Sequence, residues 1–182
     1  MNRDNFYIIT GGPGGGKTTL LENLTLKGYR YIPETARQII KERLLHNLPP
    51  RPDPLTFAKE IFNKDILNFS QNAEVESPLF FDRSIMDSAW QIFNSNQHEY
   101  NLVKDQLLNN RYNKKVFITP PWKEIYQADS ERDQTFEEAV EVFEHLYQWY
   151  ETHNYELILL PKDTIERRIA FILAHFPRKG GK

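Results

Sequence analysis

The sequence predicts an α/β fold, a parallel sheet with helices on both of its faces. Three observations lead there. Short apolar runs rich in β-branched and aromatic residues alternate with longer segments of helical periodicity along the 182 residues. The first run, Phe6 to Thr10, opens directly into the glycine-rich stretch GGPGGGKTT at positions 11–19. No internal repeat or low-complexity linker interrupts the alternation, so residues 1–176 are expected to form a single domain and 177–182 a flexible tail.

Each element has its own signature. Phe6 to Thr10 reads as a buried strand, and Thr18 to Leu26 as the helix that follows the glycine loop. Tyr29 to Ile32 is the second strand, ended by Pro33. Glu34 to His46 is a helix with Ala36, Ile39, Ile40 and Leu44 along one side. The stretch LPPRPDP at 48–54 is a rigid break, after which Asp53 or Thr56 starts a helix carrying Phe57, Ile61, Phe62, Ile66, Leu67 and Phe69. Pro78 to Phe81 is the third strand, apolar throughout and therefore buried. Ser84 to Phe93 and His98 to Asn109 read as helices. Lys115 to Thr119 is the fourth strand, closed by Pro120 and Pro121. A polar stretch at 127–134 precedes a helix from Thr135 to Thr152, whose aromatic stripe reads as core. Tyr155 to Leu160 is the fifth strand and Thr164 to His175 the closing helix.

Gly11, Gly16, Lys17 and Thr18 satisfy G-x-x-x-x-G-K-[ST], the phosphate-binding P-loop, in the strand–loop–helix context that it needs. Glycines without Cβ let the backbone curl until successive N–H groups converge on an anion. The helix N-terminus adds its partial positive charge. Gly11, Gly12, Pro13, Gly14, Gly15, Gly16, Lys17, Thr18 and Thr19 are therefore the candidate nucleotide-binding residues. Lys17 is expected to reach the β- and γ-phosphates of a nucleoside triphosphate, and the Thr18 hydroxyl to ligate Mg²⁺.

In open parallel sheets, ligands bind at the carboxyl ends of the strands, and three further constellations fall there. Asp82, after the third strand, places a carboxylate beside the P-loop. It could hold Mg²⁺, accept a proton from a substrate hydroxyl, or cap the helix near Ser84. The next residue is Arg83 and not a second acid, so it suits gripping an anion better than activating water. Glu34 and Arg37 share one helix face after the second strand. They could clamp a polar acceptor, Glu34 could be the general base, or the two could be an ordinary first-turn pair. A polar segment about 127–135 with Arg132 fits a lid that brings an arginine to the phosphates on closure, or a solvated loop whose Asp133 or Thr135 caps the next helix. Trp122 could line a pocket or simply pack. The segments 47–76 and 95–112 are expected to build the acceptor pocket. Asn63, Lys64 and Asp65 lie inside a helix and are not read as a guanine-recognition motif.

Composition excludes several classes. There are no cysteines, hence no disulfide, thiolate metal site or cysteine nucleophile. The five histidines show no metal-ligand spacing. A net charge of −2 gives no expectation of a nucleic-acid partner. No apolar run approaches a membrane span and the polar start MNRDN has no leader character, so a cytoplasmic protein is expected, as monomer or homodimer.

The segments IITGGPGGGKTTLLENL, PETARQII, LFFDRS, PPWKEIYQADSERDQTFEEA and YELILLP, together with the terminal helix, resemble the NadR-type AAA domain family of P-loop proteins. That family contains predicted ATPases and nicotinamide riboside kinase domains. More distantly, the chain is similar to deoxynucleoside kinases. The resemblance implies a three-layer α/β/α sandwich, a five-stranded parallel sheet ordered 2-3-1-4-5, a small lid, and ATP with Mg²⁺ on the P-loop. It implies Lys17, Asp82, Glu34 and Arg132 as catalytic candidates, Thr18 and Asp82 as metal ligands, and Glu34, Arg37 and Arg83 as substrate contacts. Which carboxylate is the base differs among such relatives. The function expected is transfer of the ATP γ-phosphoryl group to a small-molecule hydroxyl. The alternatives are a nucleotide-dependent switch without an acceptor and an ATPase acting on a macromolecule.

Overall fold

A computed structural model describes residues 2–126 and 135–176. The chain runs β1 (Phe6–Gly11), α1 (Lys17–Leu26), β2 (Arg30–Ile32), α2 (Thr35–Leu45), α3 (Pro54–Gln71), β3 (Leu79–Asp82), α4 (Ile85–Ser95), α5 (Gln97–Asn109), β4 (Lys115–Thr119), α6 (Phe136–Thr152), β5 (Glu156–Leu159) and α7 (Ile165–Ala174), with a short 3-10 turn at Lys123–Ile125. The strands form one parallel sheet in the order β2-β3-β1-β4-β5, as the family resemblance implies.

Strand alternation divides the core in two. Phe6 and Ile8 of β1, with Leu79 and Phe81 of β3, face a layer built from α3, α4, α5 and α6. Tyr7 and Ile9, with Phe80 and Phe117, face α1 and α7. The central strand β1 is buried along its whole length, which explains its unbroken apolar run. The edge strands β2 and β5 keep exposed positions and are correspondingly less apolar in pattern.

Local chemistry sets the helix starts. Asp53 caps α3 by accepting from the Thr56 amide at 3.0 Å, with Pro54 at the first helical position. Ser84 and Asp87 form a capping box on α4, and Thr135 and Glu138 form one on α6. Asp82 does not cap α4: Ser84 does, which leaves the Asp82 carboxylate for other use.

Asp87 then does much more than close a cap. Its Oδ2 accepts from the Ser84 amide at 2.9 Å and from the Tyr150 hydroxyl of α6 at 2.6 Å. Its Oδ1 accepts from the Thr10 hydroxyl at the end of β1 and lies 3.5 Å from Arg83 Nη1. Beside it, the Trp149 indole donates to the Met86 carbonyl at 2.9 Å. The helix after the polar segment is thereby anchored to the strand that carries the P-loop. Hydrogen bonds to a buried carboxylate contribute about 1.5–3 kcal/mol each. Replacing Tyr150 with Phe should therefore lower unfolding stability by about 2 kcal/mol, measured by chemical denaturation without ligand.

Candidate functional site

The P-loop joins β1 to α1 at the carboxyl edge of the sheet. Gly16 sits at the N-cap of α1 with φ +75°, a left-handed conformation that only glycine adopts without strain. No side chain caps α1 and no acid lies in its first turn, so its leading amides are left for an exogenous anion. Gly12 is required for a different reason: a Cβ there would fall on the Ala139 carbonyl of α6, which packs against the loop. Lys17 is 5% exposed, and its ammonium donates to the Gly12 carbonyl at 2.8 Å and the Gly11 carbonyl at 3.2 Å. Thr18 and Thr19 follow it in the first turn of α1.

Asp82 ends β3, paired in register with Ile9 of β1. It is 6% exposed, and its Oδ1 is buried with no hydrogen-bond partner among the described residues. Burial and then the neighbouring Glu34 push its carboxyl up to about 6, against the opposing pull of Lys17, Arg83 and Arg37. An orphaned, partly protonatable oxygen is costly unless a ligand, a metal ion or a transferred proton meets it.

Arg83 follows at φ +66°, an uncommon conformation for a side-chain-bearing residue, stabilised by its amide donating to the Ile9 carbonyl at 3.0 Å. The turn sends its guanidinium across to Glu34, where Nε donates to Oε1 at 3.0 Å. Arg37 Nε donates to the other Glu34 oxygen at 3.3 Å. Burial works against the Arg83 charge, but Glu34, Asp87 and Asp82 outweigh it and hold the guanidinium more firmly protonated than an ordinary arginine. Glu34 thus pairs with Arg37 through one oxygen and with Arg83 through the other, whereas Asp82 has one oxygen with no partner among the described residues.

Glu34, Arg37 and Arg83 line a cavity of about 460 Å³, whose wall does not include Asp82 or Lys17. Pro13 of the P-loop, Glu34, Arg37, Arg83 and Asp87 are on its wall, together with Phe57 and Trp90 as aromatic surface and Gln91 and Asn94 as amides. Segment 47–76 contributes as expected, through Arg51, Pro52, Pro54, Phe57 and Ile61. Segment 95–112 contributes only Ser95; its place is taken by α4 and by Val142 and Leu146 of α6. The reason is topological: α4 packs between α3 and α5 and holds α5 away from the cavity. Arg132 and the rest of 127–134 lie outside the described residues, as does the tail 177–182; Thr135 is the cap of α6.

A buried carboxylate on α3 ties α2 to α4. Asp65 accepts from the Thr35 hydroxyl at 2.6 Å and from the Ser88 hydroxyl at 2.8 Å, joining the first residue of α2 to α4. Its signal was present in the sequence. An acid stands at a position where the Ala58, Ile61, Phe62, Phe69 spacing calls for an apolar side chain. Arg168 on α7 stands among Ile165, Ile169 and Ile172 in the same way. It is 1% exposed, and its Nη2 donates to the Gly15 carbonyl at 3.1 Å. Trp122 packs over it, with the guanidinium carbon 5.8 Å from the ring centre. Neither Asp87 as a hub nor Arg168 as a P-loop contact was legible from spacing alone.

The model of a family described as AAA domain matches residues 6–168. The chain belongs to that AAA domain family. Among solved structures, the NadR protein in complex with NR is similar at a TM-score of 0.69 and 16% identity, over 93% of this chain and 50% of that one. Deoxyadenosine kinase from M. mycoides with bound dATP is similar at a TM-score of 0.59 and 15% identity, over 93% and 97% of the two chains. Thymidylate kinase from Ehrlichia chaffeensis is similar at a TM-score of 0.62 and 15% identity, over 95% and 97%. This AAA domain protein spans half of the NadR chain and nearly all of the two kinase chains. At these identities the likeness is one of fold, a P-loop kinase-like sandwich. No curated protein matches the sequence. No helix among the described residues is long and apolar enough to cross a membrane.

Asp65 and Asp82 both give this family member a pH response, and the part due to Asp65 can be isolated. Burial pushes its carboxyl from 3.8 up to about 7, the hydrogen bonds from Thr35 and Ser88 oppose the rise, and Asp87 and Glu34 add to it. A raised acid binds more protons in the native than in the unfolded state, so its contribution to stability is complete below pH 3.8 and is lost as pH rises through about 7. Asp65→Asn should remove that slope. The stability of wild type relative to the variant should fall across this interval and level off above it, as read from denaturation midpoints at stepped pH.

Proposed function

We propose that this protein transfers the γ-phosphoryl group of ATP to a hydroxyl of a small, nucleoside-like acceptor. The observation that carries the reading is the unpartnered Oδ1 of Asp82, buried one residue before the cavity-lining Arg83 and within the field of Lys17. The shared fold with deoxyadenosine kinase bound to dATP and with the NadR protein bound to NR supports the same class of ligands.

In this reading the amides of Gly11–Thr19 hold the phosphate chain, and Lys17 leaves its own loop carbonyls for phosphate oxygens. The Thr18 hydroxyl and the Asp82 carboxylate are hard oxygen donors beside that loop. They fit Mg²⁺, which takes one or two protein oxygens and fills its shell from phosphates and water. The buried Asp82 carboxylate is the observation behind that fit; it would meet the metal through a water, which leaves Oδ1 itself to take a proton. When bound, Mg²⁺ neutralises charge on the phosphate oxygens.

The acceptor lies in the cavity with its ring against Phe57 and Trp90 and its polar edge toward Gln91 and Asn94. Arg37 and Arg83, fixed by Glu34, hold its polar end. Asp82 Oδ1 takes the hydroxyl proton as the hydroxyl oxygen bonds to the γ-phosphorus; the bond from that phosphorus to the ADP oxygen breaks, and ADP leaves. Glu34 is the positioning carboxylate in this scheme, because both of its oxygens are already engaged. The lid arginine Arg132 remains a further cation of the proposal.

The test is a panel of hydroxyl-bearing metabolites incubated with Mg·ATP, with phosphorylated products read by mass spectrometry. An acceptor-dependent product is expected. Asp82→Asn should lower turnover by about 10²–10⁴-fold, and Lys17→Ala should abolish nucleotide binding. ATP hydrolysis at equal rates with and without every acceptor, or tight nucleotide binding with no product, would overturn the reading.

A further inference from the structure

Among the described residues, two cations, Lys17 and Arg168, donate to carbonyls of the P-loop, and Arg168 lies outside the motif. Arg168 is as deeply buried as the apolar residues of α7 around it. Its contacts are few: Nη2 to the Gly15 carbonyl at 3.1 Å, the face of Trp122, and a buried Nε without a hydrogen-bond partner among the described residues. No carboxylate among the described residues forms an ion pair with it, whereas Arg83, the other deeply placed guanidinium, has Glu34 and Asp87. A buried cation without a counter-ion is costly, and a ring face compensates only in part.

The geometry of the contact supplies the missing partner. In a trans peptide the C=O and the following N–H point in opposite directions. Arg168 grips the carbonyl of the Gly15–Gly16 peptide, so the Gly16 N–H is turned away from it. The guanidinium also lies close behind Gly16, with Nη1 3.0 Å from where a Cβ would stand, so it fills the space that the glycine leaves.

We propose that Arg168 is a positioning residue of the phosphate-binding loop: it aims the Gly16 amide at the phosphates of a bound nucleotide, and those phosphates are the counter-charge of its buried guanidinium. The inference rests on the nucleotide-binding reading of the P-loop and adds a residue outside the motif. Charge acting across one peptide unit strengthens that amide as a donor to an anion.

The test uses the full chain, with calorimetric titration of Mg·ATP and of AMP and with thermal unfolding in the presence and absence of each. Arg168→Met removes the charge and the donor; Arg168→Gln removes the charge and keeps an amide donor for Gly15, and serves if the Met variant does not fold. Each should weaken Mg·ATP by about tenfold or more, and AMP less, because AMP lacks the β- and γ-phosphates that the loop amides would hold. Unfolding without nucleotide should stay at or above the wild-type temperature, while the rise on adding Mg·ATP shrinks. Equal Mg·ATP affinity in wild type and a folded variant would overturn the proposal. So would a lower ligand-free unfolding temperature with an unchanged rise on adding nucleotide, the result expected of a purely structural arginine. A wild-type chain that binds no nucleotide would instead remove the P-loop reading, and this inference with it.

Discussion

The buried carboxylate of Asp87 is the contact on which the arrangement of the site depends. It receives hydrogen bonds from β1 through Thr10, from the start of α4 through Ser84 and from α6 through Tyr150, and it faces Arg83. Arg83 in turn holds Glu34, and Glu34 holds Arg37. A chain of charge-assisted contacts thus runs from the strand that carries the P-loop to the wall of the cavity. Such contacts are directional and, in a low-dielectric setting, strong only at good geometry. The relative placement of phosphate loop and cavity is therefore specified by a few polar atoms, within an apolar core that is less particular about angle.

The charges of the site separate into those that the fold satisfies and those that it does not. Asp65, Asp87, Glu34 and Arg83 are all engaged by hydrogen bonds or ion pairs. Among the described residues, Asp82 keeps an oxygen without a hydrogen-bond partner and Arg168 a guanidinium without a carboxylate. The ligand set of the proposed reaction is complementary to both: a metal ion or a departing proton for the acid, and phosphate oxygens for the guanidinium. In a folded domain, unsatisfied buried groups concentrate where something else is meant to bind.

Much of this was legible in the order of residues. The P-loop was, because its function depends on backbone amides whose conformation is dictated by glycines at set spacings. The five strands were, the inner three because a doubly covered parallel strand has to be apolar along its length. The caps at Asp53 and Thr135 were each legible as one of two candidates, beside Thr56 and Asp133, because capping is a contact between near neighbours in the chain. Asp82 was placed correctly at a strand end, but whether it capped the next helix could not be read, since Ser84 two residues later is equally suited to the cap. The cavity wall was read half correctly: α3 lines it and α5 does not.

What the sequence determined by itself was therefore the set of local conformations and the face that each presents, which are governed by periodicity, glycine, proline and capping within a few residues. What only the tertiary structure decided was which charges meet. Thr10 and Tyr150 converge on one carboxylate from positions 140 residues apart, and Arg168 reaches Gly15 from 153 residues away. The acids and arginines on helices read as solvated or structural until packing removes water from around them. A long-range ion pair has no local conformational signature, because its energy depends on burial and distance, and both come into being only when the sheet is assembled.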